Sequence, residues 1–216
     1  MLVALAHLLI GPAPGALGMA MAGYLVGVTL ATVSLRRDYP HASLGFCNLV
    51  TLGRLVMVCA LLAPLIAPGS VRAIIALASV ALILDGLDGW LARRQGCESE
   101  FGARFDMEVD AALGMILALN AWVAGAVGPV VLLLGLPRYG FAAAAWRWPW
   151  IACALPERFG RKVVCVLQIV ALIALQLPAM LPTMAGLPAV AILVAALVAL
   201  AWSFGRDLLW LWQNRS

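Results

Sequence analysis

Two apolar runs, 163–181 and 188–204, contain no charged residue and are separated only by the turn LPTMAGLP. Each is close to the ~20 apolar residues needed to cross a bilayer core. In hydrocarbon the backbone must satisfy its own polar groups, and a helix does this within one segment. Comparable runs precede them at 16–35, 49–67, 71–91, 102–125 and 130–146, punctuated by Pro68-Gly69-Ser70 and by the Gly125 to Pro129 turn. The expected fold is an all-α polytopic membrane protein: a six-helix transmembrane core plus an N-terminal transmembrane helix. With 65% apolar residues, 11% charge and a mean hydropathy of +1.04, the chain has more apolar surface than a soluble domain of 216 residues could bury.

The expected organisation is an extra transmembrane segment at 1–35, an interfacial segment at 36–48 and a core with a short C-terminal tail at 49–216. Arg36, Arg37, Asp38 and Pro40 stop the first span, and Tyr39 and Phe46 are placed to anchor the interfacial piece. Gly23 and Gly27 have the small-xxx-small spacing that lets helix backbones approach closely. The first fifteen residues lack the positive n-region of a secretory signal, so they are expected to stay in the mature protein.

The net charge of +4 and pI near 9.0 do not point to nucleic acid, because no basic stripe interleaved with aromatics accompanies them. Membrane topology accounts for the cations better. If the loops at 36–48, 92–101 and 147–162 and the C-terminal tail share one face, that face or its edge receives all the Lys and Arg except Arg72 and Arg138. The positive-inside rule makes that face cytoplasmic and, with an odd number of spans, puts the N-terminus outside the cytoplasmic membrane. The five cysteines show neither metal-type spacing nor a paired arrangement, and His7 and His41 stand alone.

Against this background, 85–110 is anomalous: 7 of the chain's 10 acidic residues fall in this stretch, DGLDGWLARRQGCESEFGARFDMEVD. At ~100° per residue, Asp85 and Asp88 lie ~60° apart on one helix and Asp106 and Asp110 ~40° apart on the next. Glu108 lies ~160° from both of its aspartate neighbours, which sets it aside. The two helices follow one another through a short loop, so the two pairs can face each other just inside the membrane boundary. Four intramembrane acids repel unless they are protonated or neutralised. Their hard oxygens suit two divalent ions, Mg²⁺ or Mn²⁺, able to clamp a phosphate. Gly89 and Gly102 leave room for a ligand to approach the backbone, and Arg93 offers phosphate a planar fork. A cation-coupled transporter with these acids along an ion path is the alternative from another functional class.

The spacing Asp85-xx-Asp88-Gly89-xx-Ala92-Arg93, eight residues, Gly102-xxx-Asp106-xxx-Asp110 resembles the signature of the CDP-alcohol phosphotransferase (CDP-alcohol phosphatidyltransferase) family. Upstream, Asn48-xx-Thr51-xx-Arg54 resembles a second family element, with Cys47 where a proline is usual. The resemblance implies transfer of a substituted phosphate group from a CDP-alcohol, such as CDP-diacylglycerol, to an acceptor hydroxyl with release of CMP, in phospholipid biosynthesis. It implies that Asp85, Asp88, Asp106 and Asp110 hold the metals, with Asp110 also the catalytic base. Asn48, Thr51, Arg54, Gly89, Ala92, Arg93 and Gly102 would cradle the CDP group. A homodimer among membrane lipids is expected on the same ground.

Arg138 falls inside an apolar run, and an intramembrane Arg suggests function. Arg158, Arg161 and Lys162 form a basic mouth at the entry to the sixth span, 163–181, suited to an acceptor phosphate or to lipid headgroups. Members making phosphatidylglycerol phosphate often carry Lys after the last Asp; Ala111 here weakens glycerol 3-phosphate as the acceptor.

Overall fold

The computed structural model describes residues 1–38, 46–95, 100–148, 150 and 159–213. Among them the chain is helical and without strands, an all-α polytopic membrane protein as the apolar runs require. Its helices are α1 (Leu2–Ile10), α2 (Pro14–Asp38), α3 (Phe46–Ala60), α4 (Val71–Gln95), α5 (Glu100–Val123), α6 (Leu132–Gly135), α7 (Pro137–Arg147), α8 (Phe159–Ala174) and α9 (Leu187–Gln213). By length and composition Pro14–Val33, Gly160–Ala179 and Leu187–Gln213 can each cross a membrane. A fourth crossing is available if Pro129–Gly135 and Pro137–Arg147, which meet at 65°, form one broken span. The apolar helix Leu49–Leu65 is shorter, and the acids are carried on α4 and α5.

The chain divides within α5 into two compact units, Met1–Ile116 and Leu117–Ser216. In the first, α3 packs along α4, and α2 and α1 pack on α3. Close approach of α2 is possible because Gly23 and Gly27 face Leu62 and Leu55: a Cβ there would come 2.5 Å from Leu62 Cδ1 and 2.9 Å from Leu55 Cδ1. The small-xxx-small spacing thus serves a helix contact in this chain. The short α1 folds back onto the α3–α4 turn, where Ser70 N–H donates to the Leu9 carbonyl at 2.7 Å and Ala6, Ala16 and Ala63 pack together. Gly27→Leu is expected to cost about 1–3 kcal/mol through overpacking against buried Leu55. Thermal unfolding in detergent reads this directly, with Gly18→Ala, whose Cβ would meet nothing within 4 Å, as the neutral comparison.

In the second unit α8 packs on α9, and α6 also touches α9. Pro137 supplies no N–H to the preceding turn, and the chain bends there. The Gln168 side-chain amide donates to the Leu134 carbonyl beside the bend, and Gln176 donates to the Leu117 and Leu172 carbonyls at 3.0 Å each. Amides in apolar helices are costly unless bonded; half-buried Gln168 and buried Gln176 both are. The fifth apolar run is therefore two differently directed pieces, and Arg138 stands half-buried directly after the break.

Candidate active site

Three helices of the first unit bring one cation and three acids together. α3 supplies Arg54, fully buried, with buried Thr51 one turn earlier on the same face. Asp85 comes from α4, and Asp106 and Asp110, one turn apart, come from α5. Arg54 Nη1 lies 3.0 Å from Asp85 Oδ1 and also donates to Asp106 Oδ1, while Nη2 donates to Asp110 Oδ1. The rigid guanidinium fork suits this divided duty, since its nitrogens can address separate carboxylates in fixed directions.

One carboxylate oxygen from each of Asp85, Asp106 and Asp110 lies within 4.8 Å of the others. The three side chains keep 24%, 35% and 39% exposure, so the cluster is open on one side while Arg54 closes it on the other. Three ionised carboxylates facing one guanidinium leave two negative charges over, equal to the charge of one divalent cation. An all-oxygen donor set of this charge suits Mg²⁺ or Mn²⁺ rather than a soft metal. The residues present therefore fit a hard divalent ion.

Of the residues singled out by sequence, Asp85, Asp106, Asp110 and Arg54 converge, and buried Thr51 shares Arg54's helix. Gly102 is half-buried on α5, one turn before Asp106. The side chains of Asn48, Asp88, Gly89, Ala92 and Arg93 lie outside the described residues, as does Arg158. Glu108 is exposed, in keeping with its displacement around the helix from the two aspartates. Arg94 and Arg104, the cations nearest in sequence, are also exposed; the buried partner of the acids is the distant Arg54.

In the second unit Arg161 Nε donates to Asp207 Oδ2 at 2.9 Å, joining the start of α8 to the far part of α9. Asp207 is 5% exposed. The expected short C-terminal tail included this residue, and the sequence alone gave it no role. The signal was its position on an apolar periodicity, since Leu200, Ser203, Asp207 and Leu211 form one buried stripe at helical spacing. Lys162 is exposed, and Arg138 is half-buried near the start of α7.

Comparison with known families adds one finding. A family model described as CDP-alcohol phosphatidyltransferase matches residues 44–204, which include α3 and all three clustered aspartates. No solved structure matches the chain.

Proposed function

The chain belongs to the CDP-alcohol phosphatidyltransferase family, and from that premise we propose a Mg²⁺- or Mn²⁺-dependent transfer from CDP-diacylglycerol to an acceptor hydroxyl, releasing CMP. Transfer of a phosphatidyl group from a CDP-alcohol follows from the family itself. The observation supporting the finer assignment is the convergence of Asp85, Asp106 and Asp110 within 4.8 Å. Asp88 completes the proposed ligand set on α4. When bound, the ions would neutralise phosphate charge and steady both the entering and leaving oxygens.

The chain's own groups do the rest. Arg54 holds the three carboxylates in register and balances part of their charge. Asp110, at the open side of the cluster, accepts the proton of the acceptor hydroxyl as its oxygen forms a bond to the β-phosphorus. The bond from that phosphorus to the CMP oxygen breaks, and CMP leaves with the electron pair. Asn48, Thr51, Gly89, Ala92, Arg93 and Gly102 are proposed to cradle the CDP group, with Arg54 acting there through the acids it orients.

Arg138, Arg158, Arg161 and Lys162 are proposed to receive the acceptor, which favours an acceptor bearing phosphate. Asp207 then acts on Arg161 as a positioning residue. The positive-inside pattern opens the site to the cytoplasm, and a homodimer is the expected assembly. Transfer is favoured over ion transport because, among the described residues, the clustered acids meet at one point on α4 and α5.

Purified enzyme given CDP-diacylglycerol, Mg²⁺ and a panel of polyol phosphates, amino alcohols and lipid hydroxyls should release CMP with one acceptor class and yield the matching lipid. Equal CMP release with and without every acceptor would count against transfer to a hydroxyl other than water's.

A further inference from the structure

Beside the bend in the fifth apolar run, α7 and α9 run in the same sense. Phe141 meets Phe204 at 5.0 Å between ring centroids, and further along Trp150 meets Trp212 at 5.9 Å. Between these helices lies an open groove of about 440 Å³, lined by apolar or small residues including Leu133, Gly140, Ala144, Leu197, Ala201 and Leu208. From Leu197 to Leu208 the helix rise makes it about 16 Å long, close to half of the ~30 Å hydrocarbon core, the depth of one leaflet.

The lining is almost wholly apolar, and the groove's length matches the reach of an acyl chain within one leaflet. The groove owes its form to small side chains: a Cβ on Gly140 would meet nothing within 4 Å.

One end of the groove carries the chemistry of a membrane interface. α7 finishes at Arg147, whose guanidinium stands 5.8 Å from the Trp148 ring centroid, and Trp146 beside it is 90% exposed. Indoles settle at the headgroup level, and an exposed Arg there attracts anionic lipid. We propose that the groove holds one acyl chain of an anionic glycerophospholipid of the surrounding membrane, its phosphate lying at the Arg147–Trp148 end. This resident lipid is separate from the transfer reaction and does not depend on it.

Native mass spectrometry of the detergent-purified chain, titrated with phosphatidylglycerol or phosphatidylcholine, tests this. The wild type should retain one phosphatidylglycerol per chain and hold it about tenfold more tightly than phosphatidylcholine. Gly140→Phe, which projects a ring into open groove space, should reduce that retention at least about tenfold. Arg147→Ala should keep the acyl chain but bind the two lipids alike. Retention by Gly140→Phe equal to the wild type would overturn the assignment, as would wild-type indifference to headgroup charge. A lipid-free dimer dispersed by Gly140→Phe would overturn it in favour of a second copy.

Discussion

Asp110→Asn is expected to lower CMP release by at least about a thousandfold while leaving the chain folded, within the 10²–10⁴-fold range of a positioned general base. The change is nearly isosteric. The new amide oxygen can still accept from Arg54 Nη2, so the contact joining α3 to α5 survives in weaker form. What is lost is the negative charge and the proton-accepting group at the open side of the cluster. Matching thermal unfolding and elution profiles alongside lost turnover would separate chemistry from folding. Glu108→Gln, an exposed position on the same helix, should change the rate by less than about threefold. Full activity in Asp110→Asn would remove Asp110 as the base.

Arg54→Ala should have the largest effect on stability. Removing one partner of a buried ion pair typically costs about 3–5 kcal/mol, because the remaining charge is left uncompensated. The three acids are 24–39% exposed, and water reaching them favours the lower end, about 3 kcal/mol. A divalent ion bound by the same carboxylates would replace the missing cation. Mg²⁺ should therefore raise the unfolding temperature of Arg54→Ala by more than it raises that of the wild type. Arg54→Lys, which keeps the charge but not the planar fork, should fall between the two. An Arg54→Ala chain as stable as the wild type without metal would show that the guanidinium does not balance this cluster.

The acids and their helices were legible because helical periodicity is local. The spacing 85, 88, 106 and 110 placed Asp106 and Asp110 on one face, set Glu108 apart and let α4 and α5 present their carboxylates together, and the described members do meet. Gly23 and Gly27 were legible for the same reason, since a spacing of four marks one helix face wherever the partner helix lies. Other features depend on contacts between distant segments. No local rule pairs Arg54 with acids more than thirty residues later, and the nearer cations Arg94 and Arg104 offered themselves as partners. Asp207 fell in the short C-terminal tail because the last span was expected to end at Phe204, whereas α9 continues to Gln213 and buries the acid against α8. Pro137 signalled a break, but the 65° change of direction depends on how α6 and α7 pack, which composition does not encode.

The aspartates converging from α4 and α5 are predicted to perform the transfer with a divalent ion. The most direct test is CMP release from CDP-diacylglycerol by chelator-stripped enzyme, before and after Mg²⁺ is restored, with Asp85→Asn, Asp106→Asn and Asp110→Asn carried through in parallel. The predicted result is release that disappears on stripping and returns with Mg²⁺ in the wild type, and that Mg²⁺ fails to restore in each folded variant. Release that persists without metal, or variants that recover with Mg²⁺ as fully as the wild type, would contradict it.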